Sequence, residues 1–269
     1  MRLDDVRGFV FDVDGTLVHR SGAAVHVIDG ALEVLERVQA SGRPFAIFTN
    51  GSHLAPEGFA RGLRDAGLPI EDGQMLTPLR SALHYLKRRH PGALVRMFAT
   101  PAVEEYMAAA GVRIAAGEEA QATDVVLVAH RHDVTLDELE RAAREVRAGA
   151  RLLTGSYVAA YSGADGPIIS RGAMIAAAIA KASGVRPTVV GKPSKAAVAV
   201  IAERLALPTA EIAVIGDDLG MDIGLGRLGG SRTILVRSGI SGKLDLARIP
   251  ERQRPDAVID NVAELLPLL

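Results

Sequence analysis

An open α/β fold wound around a parallel sheet is what this sequence predicts, and two observations carry the prediction. Short apolar runs alternate with helix-period patterns almost from end to end, the rhythm of consecutive βα units. The first run, Phe9-Val10-Phe11, is apolar without alternation, as strands buried on both faces are, and it stops in Asp12-Val13-Asp14-Gly15-Thr16. Open α/β folds collect their ligands at the carboxyl ends of strands. Two carboxylates one residue apart at such an end repel each other and call for a cation. Mg2+ suits carboxylates, water and phosphate together. A plain strand-end turn with an exposed carboxylate satisfies the same segment, and the segment alone does not separate the two.

The elements follow in order. The first strand covers about residues 8–12, and a helix over 30–40 places Leu32, Val34, Leu35 and Val38 on one face. Gly42 stops that helix, and residues 44–49 form a second strand ending in Thr49-Asn50-Gly51-Ser52. A helix over 56–66 runs to Gly67. Thr77-Pro78 then opens another, with threonine at the N-cap and proline in the first turn, reaching about residue 89. His90-Pro91-Gly92 is strong punctuation. Beyond it the same patterns give a strand over 94–99, a helix over 101–110, a strand over 125–129, a helix over 136–148 and a short strand at 152–153. A glycine-rich stretch from 155 to 172 precedes a helix over 174–183. After Pro187 the first pattern is expected to resume, with a strand at 189–190, a helix over 196–205, and strands over 212–215, 233–236 and 257–259. The middle third has its own αβ rhythm. The expected organisation is a discontinuous core, 1–89 with 185–269, around an inserted α/β domain, 90–184; one continuous sheet is the alternative.

Composition narrows the function. At 269 residues and 48% apolar, the chain buries a sizeable core and is not disordered. A net charge of −1 gives no electrostatic case for nucleic acid or an anionic membrane surface. The absence of cysteine removes disulfides, thiolate ligands and thiol nucleophiles. The N-terminus, with Arg2, Asp4, Asp5 and Arg7, lacks a signal-peptide core, and no apolar run reaches a membrane span, so a cytoplasmic location is expected.

Four strand ends carry polar chemistry: Asp12 to Thr16, Thr49 to Ser52, Gly191-Lys192-Pro193-Ser194, and Ile215-Gly216-Asp217-Asp218 with Asp222 close behind. In a parallel sheet all four converge on one rim. Singly, each has an ordinary structural explanation: a turn, a solvated lysine, a helix cap. Together and in this order, a carboxylate pair, a hydroxyl, a lysine and a second acidic pair suit phosphate with Mg2+.

That order resembles the haloacid dehalogenase (HAD) superfamily of phosphohydrolases. Its first motif, Asp-x-Asp-Gly-Thr, is matched by Asp12 to Thr16; its second, a strand-end Ser/Thr, by Thr49; its third by Lys192; and its acidic fourth by Gly216, Asp217, Asp218 and Asp222. Thr49-Asn50, Gly191-Lys192-Pro193 and Gly172-Ala173-Met174 make it similar to subfamily IIA, the NagD-like and nitrophenyl-phosphatase-like enzymes. The resemblance implies a doubly wound, Rossmann-like parallel-sheet core with an inserted α/β cap of the C2 type. It implies an Mg2+-dependent phosphatase that hydrolyses a small phosphomonoester, such as a sugar phosphate, through an aspartyl-phosphate.

In the roles so implied, Asp12 is the nucleophile, and Asp14 is the general acid and base. Mg2+ is held by Asp12, the backbone of Asp14, and Asp217. Thr49, Asn50, Gly51 and Lys192 bind the phosphoryl oxygens, while Asp218 or Asp222 holds Lys192 or a metal-bound water. Caps of this kind imply a homodimer through the cap. Two stretches differ from the subfamily pattern: Thr154-Gly155-Ser156-Tyr157 replaces Thr-Asn-x-Asp, and Ile169-Ser170-Arg171-Gly172-Ala173 replaces Pro-Gly-x-Gly-Ala. Both fall where substrate contacts are expected. Ser156, Tyr157 and Arg171, with His130, Arg131 and His132 after the 125–129 strand, are therefore the candidate specificity residues, whereas His19 and His53 receive no role. A phosphomutase of the same fold and a phospho-accepting signalling module are the alternatives, though the inserted region and the Asp12–Asp14 spacing argue against the latter.

Overall fold

The computed structural model describes residues 3–21, 24–115, 122–161 and 168–269. The chain opens with β1 (Gly8–Phe11), a hairpin of β2 (Val18–Ser21) and β3 (Ala24–Val27), α1 (Ala31–Ala40), β4 (Phe45–Phe48), α2 (Pro56–Asp65), β5 (Met75–Leu76) and α3 (Pro78–Arg89). There follow β6 (Leu94–Phe98), α4 (Pro101–Ala109), β7 (Arg113–Ile114), β8 (Val125–Val128), α5 (Leu136–Arg147) and β9 (Arg151–Thr154). A second hairpin, β10 (Ala160–Tyr161) with β11 (Ile168–Ile169), leads to α6 (Arg171–Ser183) and β12 (Thr188–Val189). The chain closes with α7 (Lys195–Leu205), β13 (Ile212–Gly216), α8 (Gly224–Gly229), β14 (Arg232–Val236) and β15 (Ala257–Ile259).

Two parallel sheets result. The first has the order β15-β14-β13-β1-β4-β5, and the second β12-β9-β8-β6-β7. In the first sheet successive residues of β1 face opposite layers: Phe9 and Phe11 pack with Val34, Leu35, Val38 and Phe59, and Val10 with Ala197, Ile201 and Val214. Helices on both faces explain the unbroken apolar run, because both sides of the strand are interior. Each fully buried large apolar side chain contributes about 1.5–3 kcal/mol. The second sheet is likewise covered twice, by α3 and α4 through Leu79, Ala82, Leu86, Val103 and Met107, and by α5 and α6 through Ala142, Val146, Ile175, Ala176 and Ile179.

Two placements differ from the sequence expectation. The strand after Pro187 does not rejoin the first sheet: β12 pairs with β9, Val189 opposite Thr154. Helix α6 packs on the second sheet, so the chain leaving it meets that sheet's open edge first. Helix α3 packs its apolar face into the second core rather than the first. The chain thus crosses between the two sheets at Thr77-Pro78 and again at Gly191, and these crossings touch: a Cβ built on Gly191 would lie 3.0 Å from Pro78 Cγ.

Candidate active site

Three of the four motif segments follow strands of the first sheet, namely β1, β4 and β13, and Lys192 follows β12 of the second. All four still meet. Lys192 Nζ donates to Asp12 Oδ1 at 2.5 Å, to Asp222 Oδ1 at 2.6 Å and to the Phe48 carbonyl at 2.6 Å. An ammonium has three protons, and all three are placed. The lysine is 2% exposed. Burial would lower its pKa, but the Asp12 and Asp222 charges outweigh burial and raise it, so the ammonium is held charged.

Carboxylate oxygens of Asp12, Asp217 and Asp222 lie within 4.8 Å of one another. Burial, with the Asp12 and Asp222 charges added to it, pushes Asp217 up to about 9, against the pull of the Ile240 N–H that bonds its Oδ2 at 2.6 Å. Burial and Asp12 push Asp222 up to about 7, with Lys192 opposing. Burial also raises Asp12 against Lys192. Three buried carboxylates with one lysine to balance them are an excess of negative charge, and hard oxygens gathered this closely suit a divalent cation such as Mg2+. Two glycines make the gathering sterically feasible. At Gly15, whose φ is +85°, a Cβ would fall 2.5 Å from Asp217 Oδ2, and at Gly239 1.9 Å from the same atom.

The remaining motif residues are placed as follows. Thr49 Oγ1 accepts the Gly51 N–H at 3.0 Å, which leaves the hydroxyl hydrogen for another partner. The Asn50 side chain spans Lys192, donating to its carbonyl at 3.0 Å and accepting its N–H at 2.8 Å. Asn50 thereby fixes the backbone from which the lysine extends. Asp222 is the residue that holds Lys192, and its Oδ2 accepts the Asp218 N–H at 3.1 Å. Asp218 instead caps the following turn, its Oδ1 accepting from Gly220 at 2.7 Å and Met221 at 3.0 Å. The Asp14 carboxylate stands outside the buried trio, with Oδ1 accepting from Arg20 Nε at 2.6 Å.

A cavity of about 280 Å³ lies over these groups. Its roof comes from the loops after β8 and β9, the second hairpin and the start of α6, and includes His130, Ser156, Tyr161, Ile168 and Arg171. Of the candidate specificity residues, His130, Ser156 and Arg171 line it, and the buried Ser156 Oγ has no partner among the described residues. Arg131 and Tyr157 do not line it. Arg131 turns to the start of α5, where it pairs with Glu138 at 2.9 Å, and Tyr157 is 44% exposed.

Arg20, His53, Phe59, Val158, Tyr161 and Ile168 also line the cavity and escaped the sequence reading. No motif marks them, and only the adjacency of His53 to Thr49-Asn50-Gly51-Ser52 was a usable signal. Burial, the Arg20 charge and His132 lower the His53 pKa. Burial, with His53, His132 and Arg171, lowers that of His130 to about 4. The His130 imidazole is therefore held neutral near pH 7, and His53 is shifted in the same direction.

Residues 9–113 match the family model described as haloacid dehalogenase-like hydrolase, and 189–265 a second, HAD-hydrolase-like model. The acid sugar phosphatase of Staphylococcus aureus is 27% identical over 235 residues, 87% of this chain and 88% of that protein. Among solved structures, the 4-nitrophenylphosphatase of Thermotoga maritima superposes with a TM-score of 0.87 at 28% identity, covering 99% of both chains. NagD of E. coli K-12 superposes at 0.84 and 26% identity, covering 98% of both. Similarity over the whole length to proteins of this one group, on a site of this composition, makes the chain a member of the haloacid dehalogenase-like hydrolases, in their NagD-like branch, and a phosphomonoester hydrolase.

Proposed function

We propose that the protein is an Mg2+-dependent phosphatase of a small phosphomonoester, a sugar phosphate or similar metabolite, acting through an aspartyl-phosphate on Asp12. The observation that carries this reading is the gathered trio Asp12, Asp217 and Asp222, two of which hold Lys192, beneath a small cavity. Asp12 and Asp217, with the Asp14 carbonyl, would hold the cation. Bound there, Mg2+ supplies positive charge that screens carboxylate from phosphate.

Lys192 fixes one Asp12 oxygen and leaves the other to attack phosphorus in line, forming the O–P bond as the ester O–P bond breaks. The leaving oxygen takes a proton from Asp14. Water then attacks the aspartyl-phosphate, gives a proton back to Asp14 and releases phosphate and free Asp12. The Thr49 hydroxyl donates to the phosphoryl oxygens, and the charge of Lys192, held beside them by Asp12 and Asp222, stabilises the charge that shifts onto them. Residues 90–184, joined by α3 and β12, serve as a cap whose roof excludes water from this exchange.

Free phosphate released from a panel of phosphomonoesters, with and without Mg2+, tests the reading. Release that depends on Mg2+, is abolished in Asp12→Asn and falls about 10²–10⁴-fold in Asp14→Asn is the expected result. An Asp12→Asn enzyme with undiminished turnover would refute it, and transfer of phosphate to a second position of the substrate without release would make the protein a mutase.

A further inference from the structure

The buried trio accounts for phosphate and cation, but not for the charge on the other side of the cavity. Arg20, on β2, reaches in from the first hairpin and holds Asp14 Oδ1 at 2.6 Å. Arg171, the first residue of α6, reaches down from the roof and makes no ion pair with any described residue. Tyr161 of β10 lines the same cavity as both arginines and Asp14. Two guanidinium groups from opposite halves of the molecule therefore line one cavity with the general acid, and Asp14 is the acidic partner of Arg20 there. The neighbouring imidazoles His53 and His130 register the same positive field, each lowered partly by one of these arginines.

Asp14 is itself a problem in this arrangement. A carboxylate oxygen engaged by a guanidinium through a charge-assisted bond is turned towards that partner and away from a leaving oxygen. A competing anion on the substrate would take the guanidinium and release Asp14. Guanidinium groups suit this task, because their planar fork matches carboxylate or phosphate oxygens two at a time.

Building on the phosphatase reading, we propose that Arg20 and Arg171 form a subsite for a second anionic group on the leaving part of the substrate, a carboxylate or a further phosphate. When that group takes Arg20, Asp14 is freed for proton transfer. The preferred substrates are then compact phosphomonoesters that carry a second anionic group, small enough for a cavity of about 280 Å³. Arg20 contacts the substrate's distal group and acts on Asp14 as a positioning residue.

The test compares 3-phosphoglycerate with glycerol 3-phosphate, which differ only by a carboxylate in place of a hydroxymethyl group. A bisphosphate and monophosphate of one sugar form the second arm and tell phosphate from carboxylate. The wild type is expected to favour the ester with the second anionic group roughly ten- to hundredfold in kcat/KM, the scale of one or two charge-assisted hydrogen bonds. Arg20→Gln and, separately, Arg171→Gln are expected to bring that ratio towards one, and Arg20→Lys to keep part of it. The ratio cancels any change in the chemical step common to both esters, and melting curves establish that each variant is folded.

A wild-type ratio near one in both arms, or a ratio unchanged in Arg20→Gln, overturns the proposal. Should no ester be hydrolysed, the phosphatase reading fails by itself. Calorimetric titration with phosphonoacetate and methylphosphonate in Mg2+ then decides the subsite alone. Tighter binding of phosphonoacetate, lost in Arg20→Gln, upholds it. Equal or absent binding of the two overturns it.

Discussion

At His130, burial, His53, His132 and Arg171 together hold the folded-state pKa near 4, whereas an exposed histidine titrates near 6.5. Between those values the folded chain binds fewer protons than the unfolded one, so stability is lost as pH falls through the window. His130→Asn removes the group that resists protonation. Urea unfolding is expected to show the wild type losing about 1 kcal/mol more than this variant between pH 7 and pH 4.5, after allowance for solvent screening. Equal losses would contradict the assignment. The residue scale also shows what a sequence reveals of a site. Asp12, Thr49, Lys192 and Asp217 were legible because each terminates or follows an apolar strand in a fixed order. Arg20, His53 and Tyr161 were not, because their place at the cavity depends on where hairpins and loops turn in space, and nothing in their neighbours' spacing encodes that.

Among the elements, the junction of β8 with α6 sets the height of the roof. A Cβ at Gly172 would lie 2.3 Å from the Ala129 carbonyl, so the first turn of α6 rests on the end of β8 only because that residue is glycine. Gly172→Ala has to lift the helix start, with Ser170 and Arg171 on it, at a cost of about 1–3 kcal/mol. Steady-state kinetics are expected to show kcat/KM lowered roughly tenfold or more, because sub-ångström displacement of binding groups is enough for that. Unaltered kinetics would mean that α6 does not position substrate.

The long buried strands and amphipathic helices were readable from their periods, as with Val34, Leu35 and Val38 of α1. The two hairpins were not. The stretch from Val18 to Val27 mixes histidine, arginine, glycine and alanine without a clean alternation, and the second hairpin falls in a glycine-rich stretch. For β12, two residues long, no period exists, and its sheet is decided by the open edge of β9 rather than by anything in Thr188-Val189.

Over the whole molecule, the excess charge of the carboxylate trio predicts that a cation stabilises the fold. Mg2+ at about a hundred times its Kd adds about 2.7 kcal/mol, a rise in Tm of roughly 5–10 °C. Asp217→Asn is expected to lose most of that rise. A melting temperature indifferent to Mg2+ in the unaltered chain would argue against a site there. The proposed cap is attached to the core by two strands of backbone only, and they pass side by side, Gly191 against Pro78 and the Gly155 carbonyl. Two attachments set next to each other would make a hinge along one edge, about which the roof would swing like a door instead of rising evenly. Products would then depart from the rim farthest from that edge, and each swing would pull on the loop that carries Lys192, coupling the opening of the door to the hold of the lysine on Asp12.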